Sequence, residues 1–399
     1  MAFSLFVAAC GSSSGGSSSS GGKLTQIVIA SDFPLTGSAR DQTVSMNKAI
    51  DMKLKEVNYK VGTVPIKFTP LDDATAQAGK WDEGKCTQNM TSLATDKQVV
   101  VMIGPMNSGC AQVQVKIANT AGLAMISPAA TSVGLTKAGG DPGEPDKYYP
   151  NGVRNFLRTA MADDLQGKAA AKWAKDLGKT KAFVLNDKET YGKGLANQFI
   201  MAAKKDGIDV VGDEGIDPQA ANYRDLMPKI TAAHADVVFF GGITQNNAGQ
   251  ILKDLRAADK SITFIGPDGI FEDAFLQAAG PAAEGALVTF GGVPPEKLTG
   301  AGKAFIDKYT AANGKPQAYT AYAYDAAGMA VEAIKRCDAA GAITRKCVLD
   351  ELFKTTNYSG ALGTFSVTTT GDTTLTQLSG LKAHNGQFVF DRTLDVKDT

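Results

Sequence analysis

Four short segments place polar residues directly after apolar runs. "VVVMIG" (99–104) is followed by "PMNSGC", which carries Ser108. "LAMIS" (123–127) is followed by "PAAT", where the small Ala129 and Ala130 let a ligand approach the backbone and Thr131 offers a hydroxyl and an N–H. "KAFVLN" (181–186) leads into "DKETYGKG" with Tyr191, and "SITFIG" (261–266) into "PDG" with Asp268. In open α/β sheets ligands bind beyond the carboxyl ends of the strands, so these are the positions to inspect for chemistry. The first two segments supply hydroxyls and amide donors, which suit a carboxylate. The last two supply an aromatic ring and a carboxylate, which suit an ammonium group, and together they complement a zwitterionic amino acid. Ser108 taken alone also reads as a helix cap, and Asp268 before glycine as a turn residue. "YGKG" is half of a dinucleotide fingerprint; it lacks the third glycine and the tight spacing to its strand, so no nucleotide cofactor is expected.

The elements that must position these residues follow from periodicity. Apolar β-branched or aromatic runs alternate with longer amphipathic segments, at "TQIVIA" (25–30), "VPIKFTPL" (64–71), "DVVG" (209–212), "DVVFFGG" (236–242) and "EGALVTF" (284–290) as well as the four runs above. Helices are expected over 44–58, 112–120, 165–177, 195–205 and 248–258. Strands apolar throughout are parallel strands buried on both faces, so the chain reads as a doubly wound α/β pattern that occurs twice. The stretch "KAGGDPGEPDKYYPNG" (137–152) ends the first series. Past residue 290, helices over 302–312, 319–338 and 344–354 come without intervening strands, followed by β-like runs near 375–381 and 387–390. The expected organisation is two lobes joined by three crossovers: 24–157 with 291–361, and 158–290 with 362–396.

Composition narrows the function. The chain has 399 residues, 43% of them apolar, enough for two cores of ordinary size. Its 41 basic and 41 acidic residues cancel without long runs of one sign, which gives no electrostatic reason to bind nucleic acid or an anionic membrane. Five cysteines include Cys10, leaving Cys86, Cys110, Cys337 and Cys347 as an even set; three pairings are open, of which Cys86 with Cys110 and Cys337 with Cys347 are nearest in sequence. No CxxC spacing occurs, so no zinc site is expected. The two histidines, His234 and His384, do not follow strands in a way that faces a cleft, and Cys110 is the one plausible nucleophile, silenced if bonded to Cys86. These features argue against an enzyme.

The N-terminus carries its own message. Residues 1–9 read as the stub of a signal peptide, and residues 11–22 are only glycine and serine, the composition of a flexible tether. Val7-Ala8-Ala9-Cys10 resembles a bacterial lipobox, which implies cleavage before Cys10, acylation of Cys10 and export to the membrane surface.

From Lys23 onward, the order of segments resembles the leucine/isoleucine/valine-binding family, the type I periplasmic substrate-binding proteins of ABC transporters. The matching stretches are "FPLTG" (33–37), "LAMISPAAT" (123–131), "LNDKETYGKGLA" (185–196), "VVFFGG" (237–242), "FIGPDG" (264–269), "EGALVT" (284–289) and "AYAYDA" (321–326). The resemblance implies that Ser108 and Thr131 hold a ligand carboxylate, that the Ala129 carbonyl and Asp268 meet its ammonium group, and that Tyr191 closes over it. It also implies that Tyr319 contacts the ligand side chain, with Asn107, Met106 and Ile243 available to line the pocket. Asp268 stands where the branched-chain binder has glutamate, and Ile243 where it has tyrosine; the expected ligand is an amino acid of branched-chain type or a related small zwitterion, with an amide or aromatic acid as the alternative. The expected protein is a monomeric lipoprotein without cofactor that serves a membrane permease, or alternatively a signalling receptor.

Overall fold

The computed structural model describes residues 24–396. Cys10, its preceding apolar run and the glycine/serine tract lie outside them. Two sheets account for almost all the strands. The first is built from β1 (Ile27–Phe33), β2 (Lys60–Val61), β3 (Val64–Asp72), β4 (Val99–Ile103), β5 (Ala124–Ser127) and β6 (Phe156–Arg158), in the order β2-β3-β1-β4-β5-β6. Only β2 runs antiparallel to its neighbour. Every residue of β1, β4, β5 and β6 is buried, as strands covered by helices on both faces must be. The covering helices between these strands are α1 (Arg40–Glu56), α2 (Glu83–Thr95) and α3 (Ser108–Thr120).

The second series alternates α4 (Asp163–Asp176), β7 (Lys181–Asn186), α5 (Thr190–Lys205), β8 (Asp209–Gly215), α6 (Met227–Ala232), β9 (Val237–Gly241), α7 (Ala248–Ala258), β10 (Thr263–Gly266), α8 (Asp273–Ala279) and β11 (Leu287–Phe290). The chain then leaves this sheet. Helices α9 (Gly300–Asn313), α10 (Thr320–Ala339) and α11 (Arg345–Phe353) return to the first one, α10 against α1 and α11 against β4. Arg345 secures the return: its guanidinium donates to the carbonyls of Leu93, Ala94, Asp96, Val99 and Ala121. After the hairpin β12 (Tyr358–Gly360) and β13 (Gly363–Phe365), strands β14 (Leu378–His384) and β15 (Gln387–Leu394) complete the second sheet, whose order is β15-β14-β11-β10-β9-β7-β8. The backbone passes between the sheets after β6, after β11 and after β13.

Several helices begin earlier than the apolar periodicity indicates. Those expected from 44, 112, 165 and 195 start at Arg40, Ser108, Asp163 and Thr190, because their first turns carry small or polar residues that interrupt the apolar periodicity. Helix α2 has no strong apolar stripe; Asp82 caps it by accepting from Lys85 N at 2.9 Å, and Cys86 supplies part of its buried face. Disulfides join Cys86 to Cys110 and Cys337 to Cys347, with Cα separations of 5.7 and 5.9 Å. Each ties neighbouring helices of the first sheet, α2 to α3 and α10 to α11. In the chain-entropy account such loops stabilise by about 3 kcal/mol each.

Candidate binding site between the two sheets

Ser108 is the first residue of α3, and its Oγ accepts from Ser132 N at 3.1 Å, which joins the loops after β4 and β5. Asn107 precedes it as the capping residue, yet its side chain does not cap the helix and its Oδ1 is buried without a partner. The α3 terminus therefore keeps its amide groups and positive dipole end for something else. The next loop is shaped by Ser127, whose Oγ accepts from Ala129 N at 3.2 Å and Ala130 N at 2.8 Å and donates to Pro105 O at 2.6 Å. Beyond it, Thr131 is buried, with its hydroxyl beside the carboxyl of Asp163. Arg158, fully buried at the end of β6, donates to Ala130 O and Ser132 O and pairs with Asp372 on the third crossover. Its guanidinium holds Asp372 below the usual carboxylate range against the opposing effect of burial.

Across the gap, Asp187 organises the loops after β7 and β9. One of its oxygens accepts from Glu189 N at 3.0 Å; the other accepts from Asn246 Nδ2 at 2.8 Å and Ile243 N at 3.3 Å. Burial, aided by the charge of Glu189, pushes its carboxyl up to about 6, with these hydrogen bonds opposing. The glycine of "YGKG" has a packing reason: a Cβ at Gly192 would lie 2.3 Å from Asp187 Oδ1 and 2.4 Å from Gly241 O. So α5 approaches β9 closely, and Tyr191 is carried with it.

Tyr191 Oη donates to Asp268 Oδ1 at 2.5 Å and accepts from Gly269 N at 3.1 Å. Tyr319, immediately before α10, donates to the other oxygen of Asp268. This bond runs between the two halves, since Tyr319 belongs to the segment packed on the first sheet. Its ring meets Phe290 and Tyr322 edge-on, with centroids 5.6 and 5.4 Å apart. Asp268 is buried, and burial raises its carboxyl above the ordinary range while the two tyrosine hydroxyls oppose the rise. Ile243 is buried beside Gly269, and Met106 is half-buried against the core.

Of the residues singled out from the sequence, Ser108, Thr131, Tyr191, Asp268, Tyr319, Ala129, Ala130 and Ile243 are all buried, with Asn107 half-buried at the α3 terminus. Three clusters result: Ser108 with the 127–132 loop, Tyr191 with Ile243 and Asp268, and Asp268 with Tyr319. One residue of the site was not foreseen. Asp163 opens α4; its N–H donates to Thr131 O at 2.9 Å, and it is 1% exposed, with the Thr131 hydroxyl beside its carboxyl. Burial and then the charge of Asp268 drive its carboxyl well above the usual range; Thr131 and Arg158 offset part of this. It too follows a strand, the three-residue β6, which reads as a boundary rather than a strand in the sequence.

The rim of the gap is bridged. Lys80 contacts Glu189 and donates to Asn246 Oδ1 at 2.6 Å, Trp81 Nε1 donates to Glu189 Oε2 at 3.1 Å, and Thr190 Oγ1 donates to Gln112 Oε1 at 3.0 Å. Trp81 stacks so closely on the α3 terminus that a Cβ at Gly109 would lie 2.3 Å from its ring. Cys86 and Cys110 lie beside the buried Asp73, but their sulfurs are bonded to each other and offer no thiolate as nucleophile or metal ligand.

Two sheet-based halves, with polar residues gathered at their strand ends and three crossovers between them, define a two-lobed α/β binding protein. Residues 26–382 match the family model described as periplasmic binding protein, and the chain belongs to that family. Among curated relatives, it is 28% identical over 355 residues to the Leu/Ile/Val-binding protein homolog 1 of Brucella suis biovar 1, covering 88% of this chain and 89% of the relative. It is 26% identical over 306 residues to the amino acid binding protein of Pseudomonas aeruginosa, covering 75% and 76%. The fold is shared with the leucine binding protein LivK of Thermotoga maritima (TM-score 0.82, 22% identity, 94% of this chain and 100% of that one). It is shared too with a solute binding protein of R. palustris in complex with benzoate (TM-score 0.76, 21% identity, 92% and 96%). The chain is thus a solute-binding protein with a type I architecture, and among the described residues no helix is long and apolar enough to cross a membrane.

Proposed function

We propose that this chain is an extracytoplasmic solute-binding lipoprotein that captures a small zwitterionic amino acid by hinge closure and delivers it to an ABC transporter permease. Residues 24–157 with 291–361 act as one lobe and 158–290 with 362–396 as the other, with Cys10 as the lipid anchor and residues 11–22 as the tether. Ser108, Thr131 and the α3 terminus receive the ligand carboxylate. The opposite side, with Asp268, receives the ammonium group, while Ala129, Ala130, Tyr191, Ile243, Asn107 and Tyr319 form the walls.

One observation carries this reading: two buried carboxyls, Asp163 and Asp268, have no ion-pair partner among the described residues and face a lobe rich in hydroxyl and amide groups. Uncompensated buried carboxylates favour a cationic partner and repel a simple anion. Relatives named for leucine, isoleucine and valine support an amino acid. A benzoate, which one structural neighbour holds, would bring negative charge without a compensating ammonium.

Binding half to each lobe makes the closed form the tighter binder, and that difference drives closure. The test is a thermal-shift screen of the purified protein against amino acids, amides and aromatic acids. A bound ligand at 100 times its dissociation constant adds about 2.7 kcal/mol of stability. Stabilisation by one or more amino acids is the expected result; stabilisation by benzoates alone would overturn the reading.

A further inference from the structure

We propose that the cavity between the start of α1 and the start of α8 receives the side chain of the bound solute and selects one that ends in N–H donors, a carboxamide or a cationic nitrogen group, over an aliphatic one. This deepens the amino-acid reading and rests on it. The cavity has a volume of about 230 Å³ and opens between the halves: Arg40, Asp41 and Gln42 line it from the first, Glu272 and Asp273 from the second, and Gln317 from the segment before α10. Two of its walls continue into the bridge between Asp268 and Tyr319. Glu272 follows Asp268 by four residues, through the turn Asp268–Ile270, and Gln317 precedes Tyr319 by two.

Gln42 is 3% exposed, and its Oε1 is buried with no hydrogen-bond partner among the described residues. Facing it from the other half, Glu272 is 7% exposed and accepts from Gln245 Nε2 at 2.9 Å. Burial pushes the Glu272 carboxyl up to about 7; hydrogen bonds from Thr244 and Gln245 oppose the rise, and the charges of Asp273 and Asp41 add to it. No cation of the protein compensates this carboxyl. Lys315 is paired with Asp273 at 3.0 Å, and Arg40, at the exposed mouth, makes no bond to Glu272.

An acceptor without a donor and a carboxyl without a cation therefore line one cavity. An aliphatic side chain seated there would keep water from both and satisfy neither. A carboxylate side chain would meet Asp41 and Glu272 at like charge. A side chain bearing N–H groups supplies donors to Gln42 and Glu272 together, and a site built to bond a polar substrate group discriminates strongly against analogues that lack it. Such selectivity separates this chain from relatives named for leucine, isoleucine and valine.

The experiment is calorimetry on the full-length protein with glutamine, asparagine, arginine and lysine, set against leucine, isoleucine, valine and glutamate. At least one of the first four should bind on the order of 30-fold or more tightly than every one of the second four. Gln42→Met, close in volume, should weaken that best ligand about tenfold or more and change leucine by less than about threefold, or improve it. Glu272→Gln, which keeps the shape, is the second variant. It should weaken the same ligand about tenfold or more if that ligand is arginine or lysine, and about threefold to tenfold if it is an amide. Tightest binding of leucine, isoleucine or valine overturns the inference and leaves the proposed function standing. Failure of every amino acid to bind overturns both. Full affinity in both variants, or an equal proportional loss of polar and aliphatic ligands, assigns the two side chains a structural role and overturns the inference.

Discussion

At the scale of single residues, the site is a set of carboxyls held where water cannot reach them. Asp268 is kept in place by two phenols, and its replacement shows whether that arrangement matters for binding. Asn in its place retains one acceptor oxygen and cannot serve Tyr191 and Tyr319 equally, so Asp268→Asn is expected to weaken the best amino-acid ligand by roughly tenfold, a loss of about 1.4 kcal/mol. Isothermal titration measures it, and unchanged affinity would remove Asp268 from the binding machinery. Sequence pattern identified Asp268 and Tyr191 separately, from their places after strands. That they bond to one another, and to Tyr319 at a distance of 51 residues, is a product of the fold.

At the scale of elements, glycines and short turns decide how closely helix and strand approach. Gly192 lets α5 lie against β9 and Asp187, and no larger residue fits without moving the backbone. Gly192→Ala should therefore cost about 1–3 kcal/mol of stability, read as a lower urea midpoint at unchanged slope. It should also weaken ligand binding, because Tyr191 precedes it and moves with it. Retention of full stability would show that α5 has slack at this contact. Helix α2 and strand β6 were the elements least legible beforehand. The first hides its buried face behind Cys86 and polar residues such as Asn89, and the second is only three residues long.

At the scale of the whole molecule, closure and charge are the measurable properties. Trp81 bonds to Glu189 across the gap, whereas Trp173 is buried within one half. Ligand addition should therefore change tryptophan emission through Trp81, and Trp81→Phe should abolish the change while leaving Trp173 emission intact. Lys80→Ala should weaken binding only two- to fivefold, because the bridge is part-exposed and such pairs contribute about 0.5–1 kcal/mol. A signal that survives Trp81→Phe would place the moving surfaces elsewhere.

Stability should also depend on pH with a definite sign. Burial pushes the carboxyls of Asp32 and Asp325 up to about 7, and those of Asp163 and Asp268 upward as well. Between about 4 and 7 the unfolded chain has released protons that the folded one retains, so stability falls as pH rises through this window. Carboxyls lowered by ion pairs, such as Asp372 and Glu56, act in the opposite sense only at more acid pH. The melting temperature of the ligand-free protein should decline from pH 5 to pH 8; a flat or rising profile would mean these groups are better compensated than their surroundings indicate.

The alternation of buried strands and amphipathic helices is legible without coordinates, because a strand covered on both faces must be apolar throughout. The chain also marks the loops after β4, β5, β7 and β10, since polar types there break so sharply with the runs before them. Its two nearest cysteine pairings are those that form, each joining helices already adjacent. Which polar atoms end up buried, and beside which neighbours, depends on the folded chain. Asp163 looks like any acidic residue in a first helical turn until Thr131, Asp268 and Arg158 are folded around it. Burial and hydrogen-bond satisfaction belong to the neighbourhood, and residues brought together from β5, β6, β10 and the third crossover share no local pattern.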